Sequence, residues 1–206
     1  MATIADLSSN NGKVDWDKVK VSPMPKGYGV IEGVYLKANE GLGSGYIDST
    51  TLYNATQAKL HGIKVGYYHF ATLNTSDVIN DATNEANFFN EVMKKFPQYD
   101  LPPVLDLETN KAELGRDQIA LWIVTFFTRL KALGHNDYVL YSYTPFLESN
   151  LPLGHKFGGI KLWLAQYSNT EYPRVPRGWV KEWLWQKTSK ATINGILTNV
   201  DLSITR

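Results

Sequence analysis

The chain has 206 residues, a formal net charge of +1 at pH 7 and a hydrophobic content of 43%. This length is enough for one well-filled domain, such as a small α/β barrel. Because the charge is nearly balanced and no basic run occurs, we expect no nucleic-acid partner. The sequence contains no cysteine, which excludes disulfides and thiolate metal ligands. No apolar run is long enough to span a membrane, so we expect no membrane insertion.

The first part of the chain alternates apolar strands with helices. Apolar spacing predicts strands over 3–7, 34–37 and 64–70, and helices over 14–19, 48–61 and 76–96. The first strand ends in the polar turn 8–12, which places Asp6 near its carboxyl end.

The segment 101–108 reads LPPVLDLE and is typical of a buried strand. Side chains alternate along a strand, so Asp106 and Glu108 are expected on one face. Two neighbouring carboxylates raise one pKa, which allows a neutral acid and an ionised partner to coexist. The pattern favours a functional cleft, although a strand end with solvated charges or a helix N-cap would have the same residues.

The second part of the chain contains one strong helix and several strands. An apolar stripe predicts a helix from Ile119 to Leu133, closed by Gly134. Strands are predicted over 138–143, 161–165, 183–187 and 199–202, joined at the end by loops with little helical character. Eight strands in strand–helix units favour an irregular (β/α)8-like barrel, an α/β fold of TIM type with fewer helices in its second half. Active sites of such barrels lie at the carboxyl ends of the strands, so we expect four acidic residues at one mouth: Asp6, Asp106, Glu108 and Asp201.

Several motifs together resemble glycoside hydrolase family 25, the Chalaropsis-type lysozymes that include many phage endolysins. They cover nearly the whole chain: DLS at 6–8, VDW at 14–16, KANEG at 37–41, GYYHF at 66–70, LDLE at 105–108, LWLAQY at 162–167, WQ at 185–186 and NVD at 199–201. The chain departs from the family pattern at Asn39, where many members have Thr, and in the segment 23–33, which is longer than usual.

The resemblance implies an N-acetylmuramidase that cuts the β-1,4 bond between N-acetylmuramic acid and N-acetylglucosamine in peptidoglycan. It implies that Glu108 is the general acid, and that Asp106 shapes its pKa and stabilises the oxocarbenium-like state. Asp6 and Asp201 are then expected to complete the acidic pocket, and one of them to orient or polarise the N-acetyl group of the substrate if that group is the internal nucleophile. The residue spacing leaves the stereochemical course open, and we favour substrate-assisted retention over inversion.

Further residues are expected to bind the glycan. Sugar stacking is assigned to Tyr67, Tyr141, Trp163, Tyr167 and Trp185, with ordinary barrel packing as the alternative for each. Hydrogen bonding is assigned to Glu40 and Gln186. We expect Lys37 to pair with a nearby carboxylate and His69 to be structural. The histidines show no metal-ligand spacing, so we predict no metal and no cofactor.

The expected partner is the glycan strand of peptidoglycan, bound by a monomer with one catalytic domain over 1–206 and no separate wall-binding domain. The N-terminus lacks the basic and apolar segments of a signal peptide. We therefore expect synthesis in a host cytoplasm and release by lysis, or secretion if a leader was removed. The alternatives are an N-acetylglucosaminidase or chitinase-like glycosidase, and a non-catalytic glycan-binding barrel.

Overall fold

A computed structural model describes residues 2–41, 45–168 and 170–205. Within these ranges the strands are β1 (Thr3–Leu7), β2 (Ile31–Glu40), β3 (Tyr46–Ile47), β4 (Lys64–Phe70), β5 (Val104–Asp106), β6 (Val139–Tyr143), β7 (Lys161–Ala165), β8 (Leu184–Ala191) and β9 (Val200–Ile204). The helices are α1 (Trp16–Lys20), α2 (Thr51–Leu60), α3 (Val78–Met93), α4 (Arg116–Ala132) and α5 (Thr144–Asn150). No helix in these ranges is long and apolar enough to cross a membrane.

Eight strands close into a barrel in the order β1, β2, β4, β5, β6, β7, β8, β9, because β1 pairs with both β2 and β9. The predicted irregular (β/α)8-like barrel is therefore confirmed. The strand β3 is a short addition that pairs antiparallel with the end of β2, and the sequence patterns did not predict it.

The last strand corrects the expectation that Asp201 lies at the carboxyl end of its strand. Strand β9 runs antiparallel to both of its neighbours, β8 and β1, whereas the other barrel pairs are parallel. Residues 192–199 alone connect β8 to β9, and a short loop joins antiparallel neighbours without the crossover helix that parallel neighbours need. The start of β9, rather than its carboxyl end, therefore lies at the barrel mouth.

The helices of the second half are few, as predicted. Helix α5 follows β6 directly, in a segment for which the sequence patterns gave no prediction. Pro145 stands in its first turn, where a missing N–H costs nothing, and Phe146 and Leu147 are buried. Burial of these two side chains stabilises a helix too short for its periodicity to be read from sequence.

Strand alternation divides the core into two layers. The inner layer fills the barrel with the side chains of Ile4, Tyr35, Val104, Val139, Tyr141, Trp163 and Leu184. The outer layer packs strand residues such as Leu105 and Leu107 against helix residues such as Phe89 and Phe126. In β5 the side chains of Val104 and Leu105 belong to opposite layers, so the segment that follows them has the alternation predicted for Asp106 and Glu108.

Aromatic side chains fill the inner layer of the barrel below its mouth. A Cβ atom on Gly66 would lie 2.3 Å from Cε1 of Tyr35, so only glycine lets this ring lie against β4. The Tyr35 hydroxyl donates to the Pro102 carbonyl at 3.0 Å, and its ring centroid lies 4.8 Å from that of Trp163. These rings close the barrel below its mouth.

A buried polar network joins β2 and β4 to α3 in the outer layer. His69 and Glu85 are both fully buried, and their Nε2 and Oε2 atoms lie 2.7 Å apart. The other ring nitrogen of His69 lies 3.0 Å from Oδ1 of Asn39, and Thr72 donates to Glu85 at 3.2 Å. The structure thus confirms His69 as a structural residue.

Candidate active site

A cavity of about 580 Å³ opens at the carboxyl ends of the parallel strands. Its lining consists of Asp6, Ser8, Asn10, Lys37, Tyr68, Phe70, Asp106, Glu108, Tyr141, Trp163 and Asp201. The four carboxyl groups predicted from the sequence therefore come together in one cavity. Asp201 reaches it from the start of β9, because that strand runs in the opposite direction.

Asp106 and Glu108 form one carboxyl pair on the inner face of β5 and its continuation. Burial raises the pKa of Asp106 well above its ordinary value, and the charge of Glu108 raises it further. Burial also raises the pKa of Glu108, while a hydrogen bond with Asp106 opposes that rise. The pair therefore tends to hold one shared proton, with the more deeply buried Asp106 as the hydrogen-bond donor.

Asp6 and Asp201 form a second pair, because they are direct partners across β1 and β9. Burial raises the pKa of Asp6 well above its ordinary value, with the charge of Asp201 as the next cause. Burial raises the pKa of Asp201 as well, and its hydrogen bond with Asp6 acts in the opposite direction. The two pairs line the same cavity, and the charge of Asp201 also raises the pKa of Glu108.

Gln186 orients the second pair from the inner face of β8. Its side chain is 1% exposed, and its Nε2 donates to Asp6 Oδ2 at 3.1 Å and to Asp201 Oδ2 at 3.5 Å. Its Oε1 accepts hydrogen bonds from the hydroxyls of Tyr141 at 2.9 Å and Tyr167 at 2.8 Å. The amide therefore has a single orientation, with its donor side towards the acids.

The family model described as Glycosyl hydrolases family 25 matches residues 5–196, a range that includes three of the four acids. The chain belongs to this family. The fourth acid, Asp201, lies beyond the matched range and is joined to it through its pairing with Asp6.

Two curated lysozymes are similar to this family 25 chain. The autolytic lysozyme of Clostridium acetobutylicum is 32% identical over 198 residues, which cover 96% of this chain and 53% of that protein. Lysozyme M1 of Streptomyces globisporus is 29% identical over 204 residues, which cover 95% of this chain and 65% of that protein. The chain thus spans between about half and two thirds of the length of these relatives.

Solved structures agree with the family 25 fold. The CTP1L endolysin is 30% identical with a TM-score of 0.81, over 100% of this chain and 67% of that one. The bacterial lysozyme from Streptomyces coelicolor is 26% identical with a TM-score of 0.83, over 100% of this chain and 92% of that one.

Two predicted stacking residues of the family 25 barrel are in the wrong layer for that role. Tyr67 is fully buried among outer-layer residues, and its hydroxyl donates to the Pro97 carbonyl at 2.7 Å. Trp185 is also fully buried, and its indole N–H donates to the Gln166 carbonyl at 2.9 Å. In β4 and β8 the inner positions belong to Tyr68 and Gln186 instead, because side chains alternate.

Tyr68 is the main site residue that sequence reasoning missed. It lines the cavity, and the nearby charges of Asp106 and Asp6 add to the burial that raises its hydroxyl pKa. The signal was present in the GYYHF motif, because the inner face of β4 takes either Gly66 and Tyr68 or Tyr67 and His69. The packing of the barrel interior shows that Gly66 and Tyr68 face inward.

The remaining predicted binding residues have distinct positions. Tyr141 lines the cavity and is 7% exposed, whereas Trp163 is 2% exposed and forms the floor, with its indole N–H bonded to Ser203. Tyr167 is 56% exposed on the rim, and burial of its hydroxyl raises its pKa to about 12. Of these three rings, that of Tyr167 is exposed and can stack on a sugar. Tyr141 and Trp163 form part of the cavity wall and floor.

Glu40 is not among the described residues that line the cavity, and its hydrogen bonding to the glycan stays a prediction. Its carboxylate pairs with the Lys37 ammonium at 2.7 Å, as expected for Lys37. Lys37 lies over the Phe70 ring, 4.8 Å from the centroid, and its charge lowers the pKa of Asp106 against the larger effect of burial. Within the described ranges no group of three or more histidine, aspartate or glutamate side chains is arranged to hold a metal ion.

The assignment of Tyr68 rather than Tyr67 is tested by a matched pair of substitutions. Tyr68→Phe is expected to lower kcat/KM by roughly tenfold, because it removes a hydroxyl that faces the acids. Tyr67→Phe is expected to leave kcat/KM unchanged and to lower the free energy of unfolding by about 1 kcal/mol, since it removes only the bond to Pro97. Initial rates and urea denaturation check both, and the reverse ranking of activities would exclude the assignment.

Proposed function

We propose that this family 25 barrel is a peptidoglycan hydrolase, an N-acetylmuramidase that cuts the β-1,4 bond on the reducing side of N-acetylmuramic acid. The observation that carries this proposal is the mouth with two carboxyl pairs, in which burial raises all four carboxyl pKa values. A glycosidase needs a carboxyl that is still protonated near neutral pH. The similarity to proteins named lysozymes and to an endolysin supports the same substrate.

Glu108 is the proposed general acid. It is less buried than Asp106, so it is the member of its pair that a glycosidic oxygen can reach. The proton shared with Asp106 is then transferred to the leaving oxygen through Glu108, and the C–O bond breaks as the proton arrives. Both groups are then carboxylates, and Asp106 is the one that stabilises the oxocarbenium-like sugar above the pair, while Glu108 is ready to act as base.

The second pair is proposed to position the internal nucleophile. In substrate-assisted retention, the acetamido oxygen attacks the anomeric carbon as the leaving group departs, and water later opens the cyclic intermediate with Glu108 as base. The attacking amide gains positive character, and a carboxylate of the Asp6/Asp201 pair accepts its N–H. Gln186 keeps this acceptor oriented through its bonds to both aspartates. Inversion by a directly activated water is the alternative course, and NMR of the first anomer formed distinguishes the two.

The site of action is proposed to be the bacterial cell wall, reached through host lysis. The support is the likeness of the barrel to the CTP1L endolysin. We further propose that the chain acts as a monomer with one catalytic domain.

The function is tested by digestion of purified Gram-positive peptidoglycan, with mass spectrometry of the new reducing ends. The expected product has N-acetylmuramic acid at the reducing end, and chitin oligomers treated in parallel remain intact. Reducing-end N-acetylglucosamine or cleaved chitin would instead establish the glucosaminidase or chitinase alternative. Glycan that is bound and stays uncut would establish the binding barrel.

The pH profile of the Asp106→Asn variant tests the shared proton. In the wild type, loss of the last proton places two charges side by side, which holds that proton to higher pH. Asparagine removes this repulsion, so we expect the alkaline limb of the kcat/KM profile to move to lower pH. The exposed Asp117→Asn variant on α4 provides the control and is expected to keep the wild-type profile. An unmoved limb in Asp106→Asn would show that Glu108 titrates independently of Asp106.

A further inference from the structure

A second and larger groove lies beside the mouth. Residues 23–28 form one wall, and residues 187–192, from β8 and the loop after it, form the other. The groove has an open volume of about 1240 Å³, compared with about 580 Å³ for the mouth. Its first wall belongs to the segment 23–33, which the family resemblance indicated to be longer than usual.

Tyr167 connects the groove to the acids. Its ring lines the groove, while its hydroxyl donates to Gln186 at 2.8 Å, and Gln186 in turn donates to Asp6. Two hydrogen-bonded side chains, Tyr167 and Gln186, therefore link the groove to the second carboxyl pair. A substituent that projects from a sugar in the mouth reaches the groove by passing over Tyr167.

The charge of the groove is opposite to that of the mouth. Of the described residues that line it, three are lysines, Lys26, Lys187 and Lys190, and none is acidic. None of these lysines forms an ion pair with a described carboxylate. Since the whole chain has a net charge of only +1, the positive character of the groove is local.

The groove also has an apolar component. Met24 and Tyr28 are partly buried and pack against the outer core, and with Pro23, Pro25 and the Tyr167 ring they line the groove next to the lysines. A ligand that fits both features has carboxylates interspersed with short apolar groups. A short peptide has this chemistry, whereas a neutral sugar lacks the charge.

We infer that this groove binds the carboxylates of the stem peptide that the muramic acid residues of peptidoglycan carry. The inference rests on the proposed function. The acids of the mouth repel an anionic stem, and the uncompensated lysines attract it, so the two regions together fix the direction in which the polymer lies. The groove therefore favours glycan strands with peptides over bare glycan.

The test uses one wall preparation in three forms, with kcat/KM measured on each. The reference is peptidoglycan freed of phosphate polymers with hydrofluoric acid, the second form has its stem peptides removed by an amidase, and the third retains the phosphate polymers. The Lys26→Glu/Lys190→Glu variant is compared with Lys95→Glu/Lys131→Glu, which makes the same charge change at exposed positions after α3 and in α4.

For the groove variant we expect a roughly tenfold loss of kcat/KM on the reference form and less than a twofold loss on peptide-free glycan. The control variant is expected to lose less than twofold on both. The wild-type preference for the peptide-bearing form should decrease with added salt.

Three results would overturn the inference. An equal loss on peptide-bearing and peptide-free glycan would assign the lysines to the glycan itself, and no loss on either would leave the groove without a role in binding. A loss confined to the phosphate-bearing wall would assign the groove to phosphate polymers. Failure of the proposed function is distinguishable, because the wild type would then release no reducing-end N-acetylmuramic acid from any form, peptide-free glycan included.

Discussion

The Glu108→Gln variant is expected to digest peptidoglycan roughly 10³-fold more slowly than the wild type, with its fold unchanged. Glutamine keeps the size of the side chain and removes the proton donor, and general acid catalysis contributes about 10²–10⁴-fold. The variant should still bind glycan strands, because the aromatic walls and Gln186 are intact. Reducing-end release and a pull-down on insoluble peptidoglycan measure the two properties separately.

The matched control for this substitution is Glu32→Gln. Glu32 is an exposed glutamate near the start of β2, at the end of the barrel opposite to the mouth, and its loss should leave the rate unchanged. If Glu108→Gln retained more than about a tenth of the wild-type rate, far above the expected range, another group would have to deliver the proton. Asp106 would then be the candidate, since it shares the hydrogen bond.

The Glu85→Ala variant is expected to lose about 3–5 kcal/mol of unfolding free energy, the largest stability effect that the structure predicts. Glu85 and His69 are fully buried partners, and Thr72 also donates to this carboxylate. Removal of the carboxylate leaves both donors buried without an acceptor and leaves a cavity between α3 and β4. Urea denaturation monitored by tryptophan fluorescence gives the change in free energy.

Glu85→Gln provides the conservative comparison for this site. Its amide oxygen still accepts one hydrogen bond, so the loss should be clearly smaller than for alanine. Because the network joins β4 to α3 in the outer layer, the reaction itself should be retained in both variants at temperatures where they are folded. A loss below about 1 kcal/mol for Glu85→Ala would show that the buried pair contributes little net stability.

Sequence reasoning succeeded where a local pattern decides the outcome. The alternation in LPPVLDLE was sufficient to place Asp106 and Glu108 on one face, because the period of two is a property of any extended strand. The helical stripes along α3 and α4 were readable for the same reason, with ends within a few residues of the observed bounds. The expected barrel placed the two remaining acids, Asp6 and Asp201, at the same mouth, and the family motifs agreed with that placement.

The errors occurred where two local solutions are equally good. Tyr67 and Tyr68 are both aromatic and adjacent, and the period alone does not tell which of them faces inward. Trp185 and Gln186 present the same problem in β8. The tertiary structure decides which residue faces inward: Tyr67 and Trp185 are both fully buried, and their side chains bond to residues distant in the sequence, Pro97 and Gln166.

By itself, the sequence determined the barrel class, the acidic residues and their strands, since these depend on local periodicity and on residue identity. Only the tertiary structure decided that β9 runs antiparallel, which brings Asp201 opposite Asp6. It also decided how the four carboxyls divide into two proton-sharing pairs, and that Lys26 lies across a groove from Lys187 and Lys190. The physical reason is the same in each case: burial and electrostatic coupling depend on distances between residues that are far apart in the chain.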